Sequence, residues 1–375
     1  MDSFKGSLSA LEAGEAVREG ILTVYPNARV EISPLADGGE GTAEAIVSAM
    51  GGKWEYVTVS DPLGRPIRAK YGVVAGKTAV MEMAQASGLT LLCEEERNPM
   101  NTSTFGFGEM IADAIKKGYR DFVIGIGGSA TNDGGVGMLS ALGFEFSDQN
   151  GEPVSSGAKG LCALASIGTE GVIPALSECR FSVASDVKNP LCGENGCSAV
   201  FAPQKGASKD DVAQMDRWLS RYAELTAQLF GTDFSKCEGS GAAGGLGFAF
   251  LAYLNGTLRS GAEAVMEATS LEEKIKCADI LITGEGRFDH QSFMGKAPVE
   301  AARIAARHGK RVFVLAGSVS NDIRFDEYSP IDAVFPIVSG PCSLDEAMSR
   351  DSACRNMART AEQIFRLLKA MGAVG

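Results

Sequence analysis

Acids, lysines and glycines fall together at several points along this chain, in combinations suited to handling phosphate. Residues 2–9 read Asp-Ser-Phe-Lys-Gly-Ser-Leu-Ser and run into an amphipathic pattern over residues 10–21, gathering Ser3, Lys5, Ser7 and Ser9 at a helix N-terminus. Anions are favoured there by unpaired backbone N–H groups and the helix dipole. Simple helix capping by Ser7 or Ser9 accounts for the same hydroxyls but not for Lys5. Residues 34–42, Pro-Leu-Ala-Asp-Gly-Gly-Glu-Gly-Thr, follow a predicted strand and precede a predicted helix. In that turn Asp37 and Glu40 could hold Mg²⁺ or take a proton from a hydroxyl. Glu40 could equally stabilise the helix N-terminus.

Residues 122–130 form an apolar run ending in Gly125-x-Gly127-x-x-Ala130, close to a dinucleotide fingerprint, with Glu145 at the expected downstream distance. The loop continues through Thr131, Asn132 and Asp133 where a fingerprint helix should already present its N–H groups to a diphosphate. Asp133 would repel a bare diphosphate, and an acid beside a phosphate loop makes sense when a cation bridges the two, as in phosphoryl transfer. A second glycine cluster, residues 239–247, contains a formal Gly-x-Gly-x-x-Gly with no preceding strand; close helix packing explains it as well as ligand binding does. Gly76, Lys77 and Thr78 mimic the end of a P-loop, but Tyr71 stands where its first glycine belongs, so a hairpin turn is predicted.

Three further loops carry polar chemistry. Residues 185–191 place Asp186, Lys188 and Asn189 after a strand; Asp186 is the preferred general base and Asn189 a metal ligand. Lys205, in Pro-Gln-Lys-Gly-Ala, is a cationic clamp for phosphate or carboxylate. Residues 283–292 bring Gly284, Glu285, Arg287, Asp289 and His290 together after an apolar strand, with Lys296 just before a helix. His290 taken singly reads as a solvated loop residue.

The elements that must position these loops alternate in the α/β manner, with strands predicted at residues 29–32, 121–126, 180–184, 279–283, 311–315 and 333–338. Helices are expected at residues 248–254, 297–308, 344–350 and 353–371. Most of the 46 glycines fall at strand ends, where open parallel sheets collect ligands. Between residues 53 and 83 three closely spaced strands read as hairpins. At 375 residues the chain exceeds the roughly 250–300 at which one core stops growing, so two domains are expected.

A net charge of −12 and a pI near 4.9, without a basic aromatic cluster, argue against nucleic acid as a partner. No apolar run approaches the roughly 18 residues of a membrane span, and no signal-peptide pattern opens the chain, so a cytoplasmic location is expected. Nine scattered cysteines without a Cys-x-x-Cys pair suit reduced thiols. Cys192 and Cys197 lie close together, yet only His290 and His308 could complete a zinc site.

In this order the motifs of residues 2–9, 36–42, 126–135, 186–191, 203–207 and 282–287 resemble those of type-1 glycerate kinases of bacteria, from Asp2 to the last helix. The resemblance implies a flavodoxin/Rossmann-like parallel-sheet domain (1–50 plus 275–375), an inserted mixed α/β domain (51–274) and an active site in the cleft between them. It implies Mg²⁺-dependent transfer of the ATP γ-phosphate to (R)-glycerate, with 2-phosphoglycerate the favoured product. Residue types alone do not distinguish the hydroxyl at carbon 2 from that at carbon 3, because both need the same base and clamps. Catalytic roles are then expected at Asp186, Lys5, Asp37 and Lys205. ATP contacts are expected at Ser3, Gly127, Gly128, Ser129, Asn132, Asp133, Gly284, Glu285 and Lys296, and Mg²⁺ ligands at Asp133, Asn189, Glu285 and Asp289. Oligomeric state stays open.

The motif of residues 2–9 usually follows a short apolar strand in relatives, whereas here Met1 abuts Asp2. A sheet without that strand would carry unpaired backbone groups and a core gap. Two rival functions follow: a nicotinamide-dependent oxidoreductase using Gly125 to Ala130, or a catalytically silent nucleotide-binding protein.

Overall fold

In residues 53–83 a turn closes the first hairpin because Asp61 fastens it: its Oδ1 accepts from the N–H groups of Leu63 (2.8 Å) and Arg65 (2.9 Å), while Gly64 takes a φ of +85° that side chains resist. The flanking strands, β1 (Lys53–Ser60) and β2 (Pro66–Val74), pair antiparallel, and a second turn through Gly76 returns the chain as β3 (Thr78–Glu82). The hairpins are as the spacing predicted. The computed structural model describes residues 1–4, 6–36, 41–324 and 329–372. Lys5, Asp37 and Glu40 lie outside the described residues.

The chain divides into two units, one formed by Gly38–Val47 and Gly51–Ala264, the other by Met1–Asp37, Ser48–Met50 and Val265–Gly375. In the first, β3 turns the sheet from antiparallel to parallel by pairing with β4 (Asp121–Gly125). A small antiparallel pair follows, β5 (Glu145–Ser147) with β6 (Ser166–Gly168). The main sheet continues with β7 (Arg180–Ala184) and β8 (Thr257–Arg259), in the order β1-β2-β3-β4-β7-β8. Phe122 and Phe181 are register partners on β4 and β7, and their rings stack 4.8 Å apart beneath Phe250. Each is at least 96% buried and contributes roughly 1.5–3 kcal/mol by leaving water. Helix Lys209–Phe230, absent from the sequence-based expectations, lays Leu219, Tyr222 and Ala223 into this core, while Met215 packs with Ala158 and Ala202.

In the second unit β9 (Ile280–Phe288), β10 (Arg311–Val319) and β11 (Ala333–Pro336) form a parallel sheet in the order β11-β10-β9. Helix Ala10–Val24 begins at a capping box: Glu12 N–H donates to Ser9 Oγ (3.3 Å), and Ser9 N–H donates to Glu12 Oε2 (2.8 Å). Ser9 is therefore the cap. This helix packs with helix Arg350–Ala370 through Val17, Ile21, Met357 and Ile364. The mixed α/β class is as expected, but residues 29–32 are not a strand. Their composition suits one; what they lack, among the described residues, is a neighbouring backbone to pair with. No helix among the described residues is long and apolar enough to cross a membrane.

Candidate active site

Register brings the polar ends of four parallel strands level. Glu82 of β3 pairs with Gly125 of β4, Gly125 with Ala184 of β7, and Ala184 with Arg259 of β8. The loops leaving these strands therefore start along one C-terminal edge, where parallel sheets bind ligands. From β4 comes the glycine loop. It is pinned by backbone bonds from Leu89 N–H to Gly128 O and from Ala130 N–H to Ser87 O, each 2.9 Å, while Gly127 and Gly128 stay exposed.

Lys205 holds this loop from within. Its ammonium, 2% exposed, donates to Ser129 Oγ (2.7 Å) and Thr131 O (2.6 Å). Burial pushes its pKa down to about 8, with Cys197 and Asp133 pulling it back. Sequence reasoning assigned Lys205 to a ligand as a clamp; the structure directs its ammonium to the chain's own loop. Asp133 is similarly engaged. It accepts from Thr104 N–H and Oγ1 (both 2.8 Å), Gly135 N–H (3.2 Å) and Gly137 N–H (3.3 Å). Burial raises its pKa, and these bonds oppose the rise. At 1% exposure it ties the loop to the start of helix Phe105–Lys116 and does not face open space as a metal ligand would. Asn132 donates to Ser198 Oγ (2.8 Å), leaving its own Oδ1 and Thr131 Oγ1 buried without a partner among the described residues.

The second glycine cluster takes the packing role. A Cβ on Gly244 would lie 2.1 Å from Thr131 O, and Gly134 N–H donates to Gly244 O at 3.0 Å, so the absence of a side chain lets this backbone buttress the loop. Asp186 follows β7, exposed, with Oδ1 accepting from Gly261 N–H at 3.1 Å. Asn189 donates to Asn195 O at 2.9 Å. Two residues of this edge escaped the sequence reading, Glu82, which accepts from Ala43 N–H at 2.9 Å, and Arg259. For Glu82 the signal was present: an acid closing an apolar strand, as at Asp186.

In the unit that carries β9, Gly284 is required where the strands run close, since a Cβ there would meet Leu315 O at 2.2 Å. Glu285 follows, 5% exposed, its Oε2 accepting from Lys296 Nζ at 2.8 Å and its Oε1 buried with no partner among the described residues. Asp2 N–H donates to Gly284 O (2.9 Å), which brings Ser3 beside the middle of this strand. Asp289 caps the turn His290–Phe293, accepting from Gln291 N–H (3.0 Å) and lying 3.3 Å from Arg287 Nε. His290 is exposed. No cluster of three or more acids, histidines or cysteines suited to a metal occurs among the described residues. The orphaned oxygen of Glu285, beside a lysine, is the feature that fits a cation carrying phosphate.

The dinucleotide reading does not survive this geometry. After Ala130 the next helix is Val136–Ala141, too late to aim its N-terminus at the Gly125–Ala130 turn, and Glu145 pairs with Gly168 in the separate two-stranded sheet.

The profile described as "Glycerate kinase family" matches residues 1–369. The chain belongs to the glycerate kinase family. A "Glycerate kinase" of Bacillus subtilis (strain 168) is 44% identical over 98% of this chain and 96% of its own length. A "Glycerate 2-kinase" of Escherichia coli (strain K12) is 44% identical over 94% of both chains. Among solved structures, that of a candidate glycerate kinase 2 from Salmonella typhimurium LT2 is 43% identical, with a TM-score of 0.91 over 100% of this chain and 98% of that one. Family membership thus rests on the whole length, including the glycine loop, the Asp186 loop and the Glu285 segment of β9.

Proposed function

We propose that this chain is a glycerate kinase that uses ATP and Mg²⁺ to phosphorylate a hydroxyl of (R)-glycerate, with 2-phosphoglycerate as the product. The observation that carries the reading is the level C-terminal edge of β3, β4, β7 and β8, which starts an exposed glycine loop and an exposed aspartate from adjacent strands in a member of this family. ATP, when bound with Mg²⁺, supplies the phosphoryl group and a cation to shield its charge. The chain's part is positioning. Gly127 and Gly128 offer backbone without side chains to a phosphate, and Lys205 keeps Ser129 and Thr131 in place behind them. Asp186 orients the substrate hydroxyl and accepts its proton on its carboxylate. Glu285, steadied by Lys296, has one oxygen for the cation; Asp289 and Asn189 are further ligands in this proposal. Lys5 and Asp37 contribute as substrate-facing groups by resemblance, and the location proposed is cytoplasmic.

The test is ADP release by the purified chain with glycerate and Mg²⁺, omitting each in turn, and NMR of the phosphorylated product. Turnover that needs both, and a phosphate on carbon 2, is the expected result. ADP release that ignores glycerate would sink the reading, and a phosphate on carbon 3 would overturn its regiochemistry.

A further inference from the structure

Residues 83–104 leave the end of β3 and run alongside the glycine loop, tied to it at both ends. Met83 N–H donates to Gly125 O and Leu89 N–H to Gly128 O, each at 2.9 Å. Further on, Thr102 Oγ1 donates to Ala130 O and Thr104 N–H to Asp133 Oδ2, each at 2.8 Å. Between these anchors stands Arg97, the one lysine or arginine in the segment.

Arg97 closes the short 3₁₀ turn Glu94–Glu96, its N–H donating to Glu94 O at 3.3 Å. Its backbone lies against the turn that carries Lys205: Gly206 takes a φ of +98°, and a Cβ there would collide with Arg97 O. The two cations are used differently. Lys205 donates inward to Ser129 and Thr131, whereas Arg97 Nε is buried with no partner among the described residues. Arg97 forms no ion pair among the described residues either; of the acids beside it, Glu96 pairs with Arg65 at 2.6 Å, and Glu94 and Glu95 are exposed. A buried donor on a permanent cation is costly to leave unpaired. The side chain as a whole is half-buried, so an acceptor can reach it from solvent.

Nε and one Nη of an arginine form a planar fork that matches the two oxygens of a carboxylate. We infer that Arg97 is a specificity residue of the acceptor site and receives the carboxylate of glycerate through Nε. The inference rests on the reading of this chain as a glycerate kinase. Two arguments select the carboxylate over a nucleotide phosphate. Glu94, Glu95 and Glu96 make the surroundings acidic, which repels a triphosphate more than a singly charged group. In that reading Mg²⁺ shields the triphosphate, whereas the carboxylate brings no cation and must find one on the chain.

The experiment measures steady-state phosphorylation of glycerate and of glyceramide, its neutral amide, by the unaltered chain, Arg97→Met and Arg97→Lys. Glyceramide keeps both hydroxyls, so the comparison isolates the carboxylate. Arg97→Met is expected to lower kcat/KM for glycerate by about 30-fold, chiefly through KM, and that for glyceramide by no more than about threefold. KM for ATP should stay within about twofold, and Arg97→Lys should recover part of the preference for glycerate, since it restores the charge without the fork. An equal loss on both acceptors would make Arg97 a structural support and overturn the inference. So would a variant that prefers glycerate as strongly as the unaltered chain, or a rise in KM for ATP alone, which would assign the guanidinium to a phosphate. An unaltered chain that phosphorylates neither acceptor would overturn the kinase reading and this inference with it.

Discussion

The ammonium of Lys205 donates to the hydroxyl of Ser129 across 2.7 Å, although 76 positions separate the two residues. A second donation to Thr131 O at 2.6 Å makes Lys205 the inner brace of the glycine loop. Lys205→Met keeps most of the volume and removes both bonds, so the loop loses its brace. The expected result is a fall of at least tenfold in kcat/KM for glycerate phosphorylation, measured by ADP release.

The same lysine gives the fold a pH signature. Burial lowers its pKa from 10.5 to about 8. Below pH 8 the folded protein bears the whole cost of the buried charge. Between about 8 and 10.5 the folded form sheds the proton before the unfolded form does, so the cost fades as pH rises. Wild type should gain stability relative to Lys205→Met across that window, by up to about 3 kcal/mol at ~1.36 kcal/mol per pH unit. Denaturant unfolding of both proteins at pH 7, 8.5 and 10 reads the difference, and parallel curves would refute it.

Asp186→Asn retains an oxygen for the Gly261 N–H bond and removes the carboxylate's charge and its capacity to accept a proton. Turnover should drop by about 10²–10⁴-fold with ATP affinity nearly unchanged. Titration calorimetry with ATP beside steady-state assays separates the two, and full turnover in the variant would exclude Asp186 as the base.

Lys296→Ala leaves the buried carboxylate of Glu285 without its cation. Lys296 is itself a third exposed, so solvent screens part of the loss, and about 2 kcal/mol of destabilisation is expected. Glu285→Gln combined with Lys296→Met should recover most of it; a double-mutant cycle with no coupling would show that the pair adds nothing.

The amino-acid sequence alone determined the local chemistry. Apolar runs ending in glycine or an acid marked β4, β7 and β9; Ser7 or Ser9 as a cap marked a helix start; turn residues marked the hairpins. Each of these depends on neighbours a few positions away, through periodicity, capping or turn geometry. Only tertiary structure decided how the polar groups are used. Lys205 and Asp133 turn inward because distant loops offer them carbonyl, hydroxyl and N–H partners, and a buried charge must take such partners where it finds them. Residues 29–32 have a strand's composition but no strand pairing among the described residues, because a ladder needs a second backbone alongside it and that lies beyond local sequence to supply.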